Sequence, residues 1–289
     1  MNIQWYPGHM TKAKRAMKED MKLIDLVIEL VDARVPLASR NPDIDDLAAG
    51  KARMVLLNKS DLADERLNAQ WAEWFGAKDI HVVKVDARNK GTMKQVQSVV
   101  QDACKDKLER DRKRGIMNRP IRTMVVGIPN VGKSTFINSF AGKACAKTGN
   151  KPGVTKGNQW IRLNKTLELL DTPGILWPRF EDQLVGLKLA LIGSINDQIL
   201  NKDELVSELI RFLGKRYPQA ISGRYGFEDA GELEPSRVLE SIARARSCLL
   251  KGGELDLQRA ASLLLDDFRT GKLGRITLER PDEPAGKGM

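Results

Sequence analysis

An α/β protein is what the sequence predicts: a mostly parallel sheet flanked by helices, followed by a small all-α domain. Three observations lead there. Six apolar runs, each ending in Gly, Asp or Asn, recur between helix-like stretches over residues 25–174, and that alternation builds parallel sheets with helices on both faces. A glycine-containing loop, "GIPNVGKS" (127–134), joins one of these runs to a helical stretch. Beyond about residue 183 the apolar period changes to i, i+3, i+4, which is the pattern of amphipathic helices.

In chain order, a basic helix is expected near 11–22 and then buried strands in "DLVIELVDAR" (25–34), "RMVLLNKSD" (53–61), "IHVVKVDAR" (80–88), "RTMVVGIPN" (122–130), "QWIRLN" (159–164) and "LELLDTPG" (167–174). Helices are expected over 65–76, 91–113 and 133–142. The later helices read from "QLVGLKLALIGS", "DELVSELIRFLGKRYP", "PSRVLESIARARSCLL" and "LDLQRAASLLLDDFRTG", with Pro235 suited to a first helical turn. The expected division is 1–182, 183–280 and a Pro/Gly-rich flexible tail over 281–289.

The 289 residues suffice for one large α/β domain and a smaller one. With 30% charged residues and no apolar run of spanning length, the expectation is a soluble, cytoplasmic chain with no membrane partner. Cys104, Cys145 and Cys248 lie far apart, and His9 and His81 are the only histidines, so spacing indicates neither a redox pair nor a transition-metal site. His81 reads as a strand residue, core or edge. The net charge is +10 and unevenly placed: residues 1–189 hold 33 Lys+Arg against 22 Asp+Glu, while 190–289 hold 15 against 16. A basic first part suits a polyanionic partner, although each cluster taken alone also reads as a solvated face. Trp5, Trp71, Trp74, Trp160 and Trp177 are candidates for base stacking; most read as packing residues, and Trp177, beside Pro178, is the one to watch.

The loop 127–134 satisfies GxxxxGK[ST] after a strand and before a helix, the context of a phosphate-binding loop. Gly127 and Gly132 let backbone N–H groups close on phosphate oxygens, with Asn130, Val131 and Thr135 completing the lining; Lys133 reaches the β and γ phosphates, and Ser134 ligates Mg²⁺. "NKSD" (58–61) selects the base. Asp61 can accept from guanine N1–H and its exocyclic amine, Asn58 would approach the opposite edge, and the Lys59 stem would lie along the purine. "VDAR" (85–88) would lay the Ala87 N–H against guanine O6, a loose match, since Asp86 and Arg88 stand where Ser and Lys are commoner. "DTPG" (171–174) offers Asp171 to Mg²⁺ through water and the Gly174 N–H to the γ-phosphate, and "PGVTK" (152–156) offers Thr155 as a second Mg²⁺ ligand. GTP or GDP with Mg²⁺ is the implied cofactor set.

Base motifs that precede the phosphate loop mean that the usual guanine-nucleotide order is cut and rejoined: the domain is a circularly permuted P-loop GTPase domain. The cut leads the "DTPG" segment directly into the C-terminal helices, where a rearrangement at the γ-phosphate could tilt them. That order, the "WYPGHM" opening and the helical C-terminal part resemble the bacterial circularly permuted GTPases of large-subunit assembly, the ribosome biogenesis GTPase A family. The resemblance spans essentially the whole chain. It implies GTP hydrolysis stimulated by the particle, GTP-dependent binding to a late precursor of the large ribosomal subunit and contact with rRNA; nothing in the sequence demands a dimer, so a monomer is expected. In Ras-like enzymes a water-orienting Gln follows DxxG, whereas Ile175 stands there in this chain. Two candidates could position the water instead. One is His9 of "PGHM", which alternatively packs in an N-terminal turn, and the other is a K⁺ held with the help of Asn130. Rival readings are a GTPase acting on tRNA, another RNA or membrane signalling, a P-loop ATPase disfavoured by "NKSD", and a non-enzymatic RNA chaperone.

Overall fold

The computed structural model describes residues 15, 17–116, 119–146, 159–172, 182–196, 201–227 and 234–283. Its centre is a six-stranded sheet of β1 (Leu26–Asp32), β2 (Ala52–Asn58), β3 (His81–Val85), β4 (Ile121–Gly127), β5 (Gln159–Arg162) and β6 (Leu167–Asp171). The spatial order is β3-β2-β1-β4-β6-β5. All neighbours are parallel except β5, which runs antiparallel to β6. β1 is buried at every residue, as expected of a central strand covered on both faces. On one face, Val31, Val55 and Leu57 pack with Leu67, Trp71 and Phe75 of α2 (Glu65–Gly76). On the other, Leu30 and Leu56 belong to the core that includes Val96 and Val100 of α3 (Met93–Ala103) and Phe136 and Ile137 of α5 (Lys133–Ala141). A short α1 (Asp43–Leu47) lies between β1 and β2 in the chain.

Two sequence expectations change. β5 is not a buried strand: it lies at the sheet edge, and only Ile161 of its four residues is buried. The expected helix over 91–113 divides into a 3-10 turn (Lys90–Thr92), α3 and α4 (Lys105–Lys113). The junction is Cys104, beyond which burial falls off: α4 has no fully buried residue, and Leu108 is only partly buried against the core. His81 opens β3 at the other sheet edge and is exposed, the second of the two places, core or edge, that its strand position allows.

Beyond the sheet come α6 (Gln183–Leu191), α7 (Lys202–Arg216), α8 (Gln219–Tyr225), α9 (Pro235–Ala245) and α10 (Leu257–Arg269). Asp182, Asn201 and Asp256 cap α6, α7 and α10 through side-chain oxygens, satisfying amides that a first helical turn leaves open. The last helix ends at Arg269, and 271–280 is not helical. This last stretch lies along the ends of β1 and β2: Ile276 donates to Leu62 O, Leu278 to Arg34 O, and Trp71 Nε1 to Glu279 O. The buried Glu279 carboxylate accepts from the Leu37 and Ala38 amides and pairs with Lys188 of α6 at 3.3 Å. Burial raises its pKa above the ordinary carboxylate range, against the pull of Lys188. Glu283, assigned by sequence to a flexible tail, pairs with Arg216. Among the described residues no helix is long and apolar enough to cross a membrane.

Candidate nucleotide-binding site

Sheet register brings the motifs together. Asp32 of β1 is level with Asn58 of β2, which is level with Val85 of β3, and Val125 of β4 is level with Asp171 of β6. The loops that follow these strands therefore meet at their carboxyl ends, where open α/β sheets bind ligands.

The phosphate loop leaves β4 at Gly127, where a Cβ would lie 2.9 Å from Leu30 O, a backbone atom. The loop turns through two left-handed residues, Asn130 (φ 59°) and Gly132 (φ 97°), before α5 begins at Lys133. Lys133 is buried and ion-paired with Asp171, which is itself buried. Desolvation lowers the lysine pKa while the carboxylate opposes the shift. Ser134 and Thr135 sit half-buried in the first turn of α5.

The base motifs are bound to this loop through Asn58. Its Nδ2 donates to Val131 O at 2.7 Å and its Oδ1 accepts from the Ala87 N–H at 3.0 Å. One buried amide thus joins three loops, and the Ala87 N–H expected to face guanine O6 is engaged by Asn58. Lys59, at φ 57°, extends its Nζ to Asn130 O (2.9 Å) and to Asp32 (3.0 Å). Asp61 accepts from Arg88 through Oδ2, whereas its Oδ1 is buried with no hydrogen-bond partner. A buried, unsatisfied acceptor is costly, and a guanine N–H is the kind of donor that would satisfy it.

Asp32 and Arg34 were not singled out in the sequence, although "VDAR" occurs twice, at 31–34 and 85–88. Both copies fold alike: Arg34 grips Asp32 through Nε and Nη2 at 2.8 Å each, and Arg88 grips Asp86 at 2.9 and 3.1 Å. Burial separates them, since Asp32 and Arg34 are fully enclosed while Arg88 is exposed. Burial alone would raise the Asp32 pKa, but Arg34 and Lys59 hold it well below the usual carboxylate range. Arg34 also donates to Arg269 O and lies over the Phe268 ring. A second link joins the phosphate loop to the helices, where Asn130 Nδ2 donates to Gly193 O at 2.8 Å. His9, Thr155, Gly174, Ile175, Trp5 and Trp177 lie outside the described residues.

Gly132→Ala should test the loop directly. A Cβ there would collide with Asn58 Nδ2, and the left-handed backbone costs an L-residue about 1–2 kcal/mol. Losing the Asn58 bond adds about 0.5–1.5 kcal/mol. GDP affinity, titrated with a fluorescent analogue, should fall about tenfold to hundredfold; a Kd within a factor of about two would refute this geometry.

A family model described as "50S ribosome-binding GTPase" matches residues 122–213. Ribosome biogenesis GTPase A of Bacillus cereus is 48% identical over 283 residues, covering 98% of this chain and 95% of the relative. The chain belongs to the ribosome biogenesis GTPase A family. Among solved structures, GNP-bound YlqF from T. maritima is 30% identical with a TM-score of 0.65, covering 94% of this chain and all of the neighbour. A GDP-bound T. maritima YlqF is 29% identical with a TM-score of 0.66, covering 93% and 100%. The protein is accordingly a guanine-nucleotide-binding GTPase of ribosome biogenesis, with the α/β P-loop fold and motif order that the sequence predicts.

Proposed function

We propose that this GTPase serves a late step of large (50S) ribosomal subunit assembly, binding rRNA or the precursor particle in its GTP state and leaving after hydrolysis. The observation that carries the cycle is the bond from Asn130 in the phosphate loop to Gly193, between α6 and α7. A change at the phosphates reaches the helices through it, beside the route through "DTPG". Residues 183–280 act as the RNA-binding part and 1–182 as the GTPase domain, which supplies most attraction to phosphate because the basic excess lies there.

In the nucleotide site, Asp61, Asn58, Lys59 and Ala87 serve the base, and residues 130–135 with Gly174 serve the phosphates. Ser134, Thr155 and Asp171 are oxygen donors of the kind Mg²⁺ takes, and Mg²⁺ would neutralise charge between the β and γ phosphates. Asn130 helps hold K⁺ through its amide oxygen, its Nδ2 being engaged by Gly193 O. His9 orients the attacking water, which the apolar Ile175 cannot do. The protein works as a monomer in the cytoplasm, where its particle is found.

The test is GTP turnover in potassium buffer, alone and with purified mature and immature large subunits. Stimulation of at least about tenfold by a particle, reduced when sodium replaces potassium, is the expected result. Unchanged turnover with both particles would remove the large subunit as activator, and equal rates in the two buffers would remove K⁺.

A further inference from the structure

Six large hydrophobic side chains are exposed among the described residues, and Trp160 is the one aromatic among them. It lies on β5 at the sheet edge, 41% exposed. Leaving so large an apolar surface in water forgoes favourable burial, and a charged residue would protect an edge strand better. The surroundings are cationic. Arg122 sits over the indole at 5.6 Å from the ring centroid. Register places Arg162 opposite Glu168, itself level with Arg122, while Trp160 is opposite Leu170, two residues further along β6. Because side chains alternate across a strand, Trp160, Arg162, Glu168 and Arg122 share one face of the sheet. Arg119 and Lys165 flank it, both exposed. Two acidic groups lie beside these cations: Glu168, bound to Arg122 at 3.4 Å, and Asp25, which accepts from the Arg122 backbone N–H and pairs with Arg119 at 3.6 Å. Among the described residues, Arg162 and Lys165 are thus the side chains of this face with no acidic partner.

We infer that this face of the β4-β6-β5 edge binds single-stranded RNA, with a base stacked on Trp160 and adjoining phosphates held by Arg122, Arg162 and Arg119. The inference rests on the proposed RNA-bound cycle and gives it a contact outside the helical part. An aromatic platform among cations is the arrangement that holds unpaired bases, every one of which has a stacking face. Duplex RNA keeps its bases stacked internally and cannot use the indole.

The experiment measures binding of a fluorescein-labelled, unstructured 12-nucleotide RNA of mixed sequence, and of an RNA duplex, to wild-type protein, Trp160→Ala, Trp160→Phe and Arg162→Glu. GDP affinity and thermal midpoint serve as folding controls. Expected results are preference for the single strand and a loss of about fivefold to hundredfold with Trp160→Ala. Trp160→Phe should recover most of this. Trp160→Ala should leave the salt dependence nearly unchanged, while Arg162→Glu should lower its slope by about one or more. Wild type that binds the single strand with Trp160→Ala binding equally well would overturn the site while leaving the RNA reading intact. Equal affinity for single strand and duplex would also overturn the stacking role. Weaker binding of Trp160→Ala to large subunits with unaltered RNA binding would assign the face to a protein partner and overturn the inference. Wild type that binds neither RNA nor subunits would defeat the parent reading together with it.

Discussion

Lys133→Ala should lower single-turnover GTP hydrolysis by at least about 10²–10³-fold, the usual cost of removing one preorganised charge from a developing transition-state charge. The geometry explains why no neighbour would compensate. Lys133 is buried at the start of α5, and the other nearby lysine of the motifs, Lys59, is committed to Asn130 O and Asp32. Lys133 also neutralises the buried Asp171. Its removal leaves that carboxylate unpaired, so part of the loss would appear as reduced stability; breaking a buried pair costs about 3–5 kcal/mol. Lys133→Ala/Asp171→Asn should therefore regain stability relative to Lys133→Ala without regaining turnover. Hydrolysis by Lys133→Ala within about threefold of wild type, measured at saturating GTP, would remove the lysine from the chemistry.

Much of this site was legible because its motifs are local. "GIPNVGKS" and "NKSD" carry their chemistry in consecutive residues, and the strands leading into them are near-continuous apolar runs. The structure places Asn58 between the loops of three different strands, consistent with a cut and rejoined chain that retains its spatial neighbours. What stayed hidden depends on contacts distant in sequence. β5 reads as apolar enough to be buried, yet its neighbours leave it at an edge, so Trp160 faces solvent. The segment around Glu279 alternates polar and apolar residues only over Arg275–Glu279, and its hold on Leu37, Ala38 and Lys188 spans 242, 241 and 91 residues of sequence. α8, with seven residues after Pro218, is too short for a clear period. The two "VDAR" copies show the limit best. Local sequence sets the same Asp-Arg grip in both, but only the tertiary fold encloses one and exposes the other.

That enclosure gives Asp32→Asn a large expected effect on stability. Asp32 is fully buried and neutralises both Arg34 and Lys59. Its replacement leaves two cations facing a neutral amide, at a cost of about 3–5 kcal/mol. GDP affinity should fall as well, because Lys59 loses one of the two groups that fix it beside the phosphate loop. The pH dependence separates this cause from a general packing defect. In the folded protein the Asp32 pKa is depressed, against about 3.9 for an unfolded aspartate. The stabilisation is thus complete above about pH 5 and declines as the pH falls through the unfolded value towards the lower folded one. Urea midpoints of wild type and Asp32→Asn should accordingly lie far apart near neutrality and converge in acid, as the wild type loses a contribution the variant never had. A constant gap from about pH 7 to pH 2.5 would mean that Asp32 stabilises the fold by shape alone. Convergence accompanied by recovery of GDP affinity in Asp32→Asn/Lys59→Met would instead place the damage in the unpaired lysine, since Arg34 keeps its bond to Arg269 O and its contact with Phe268.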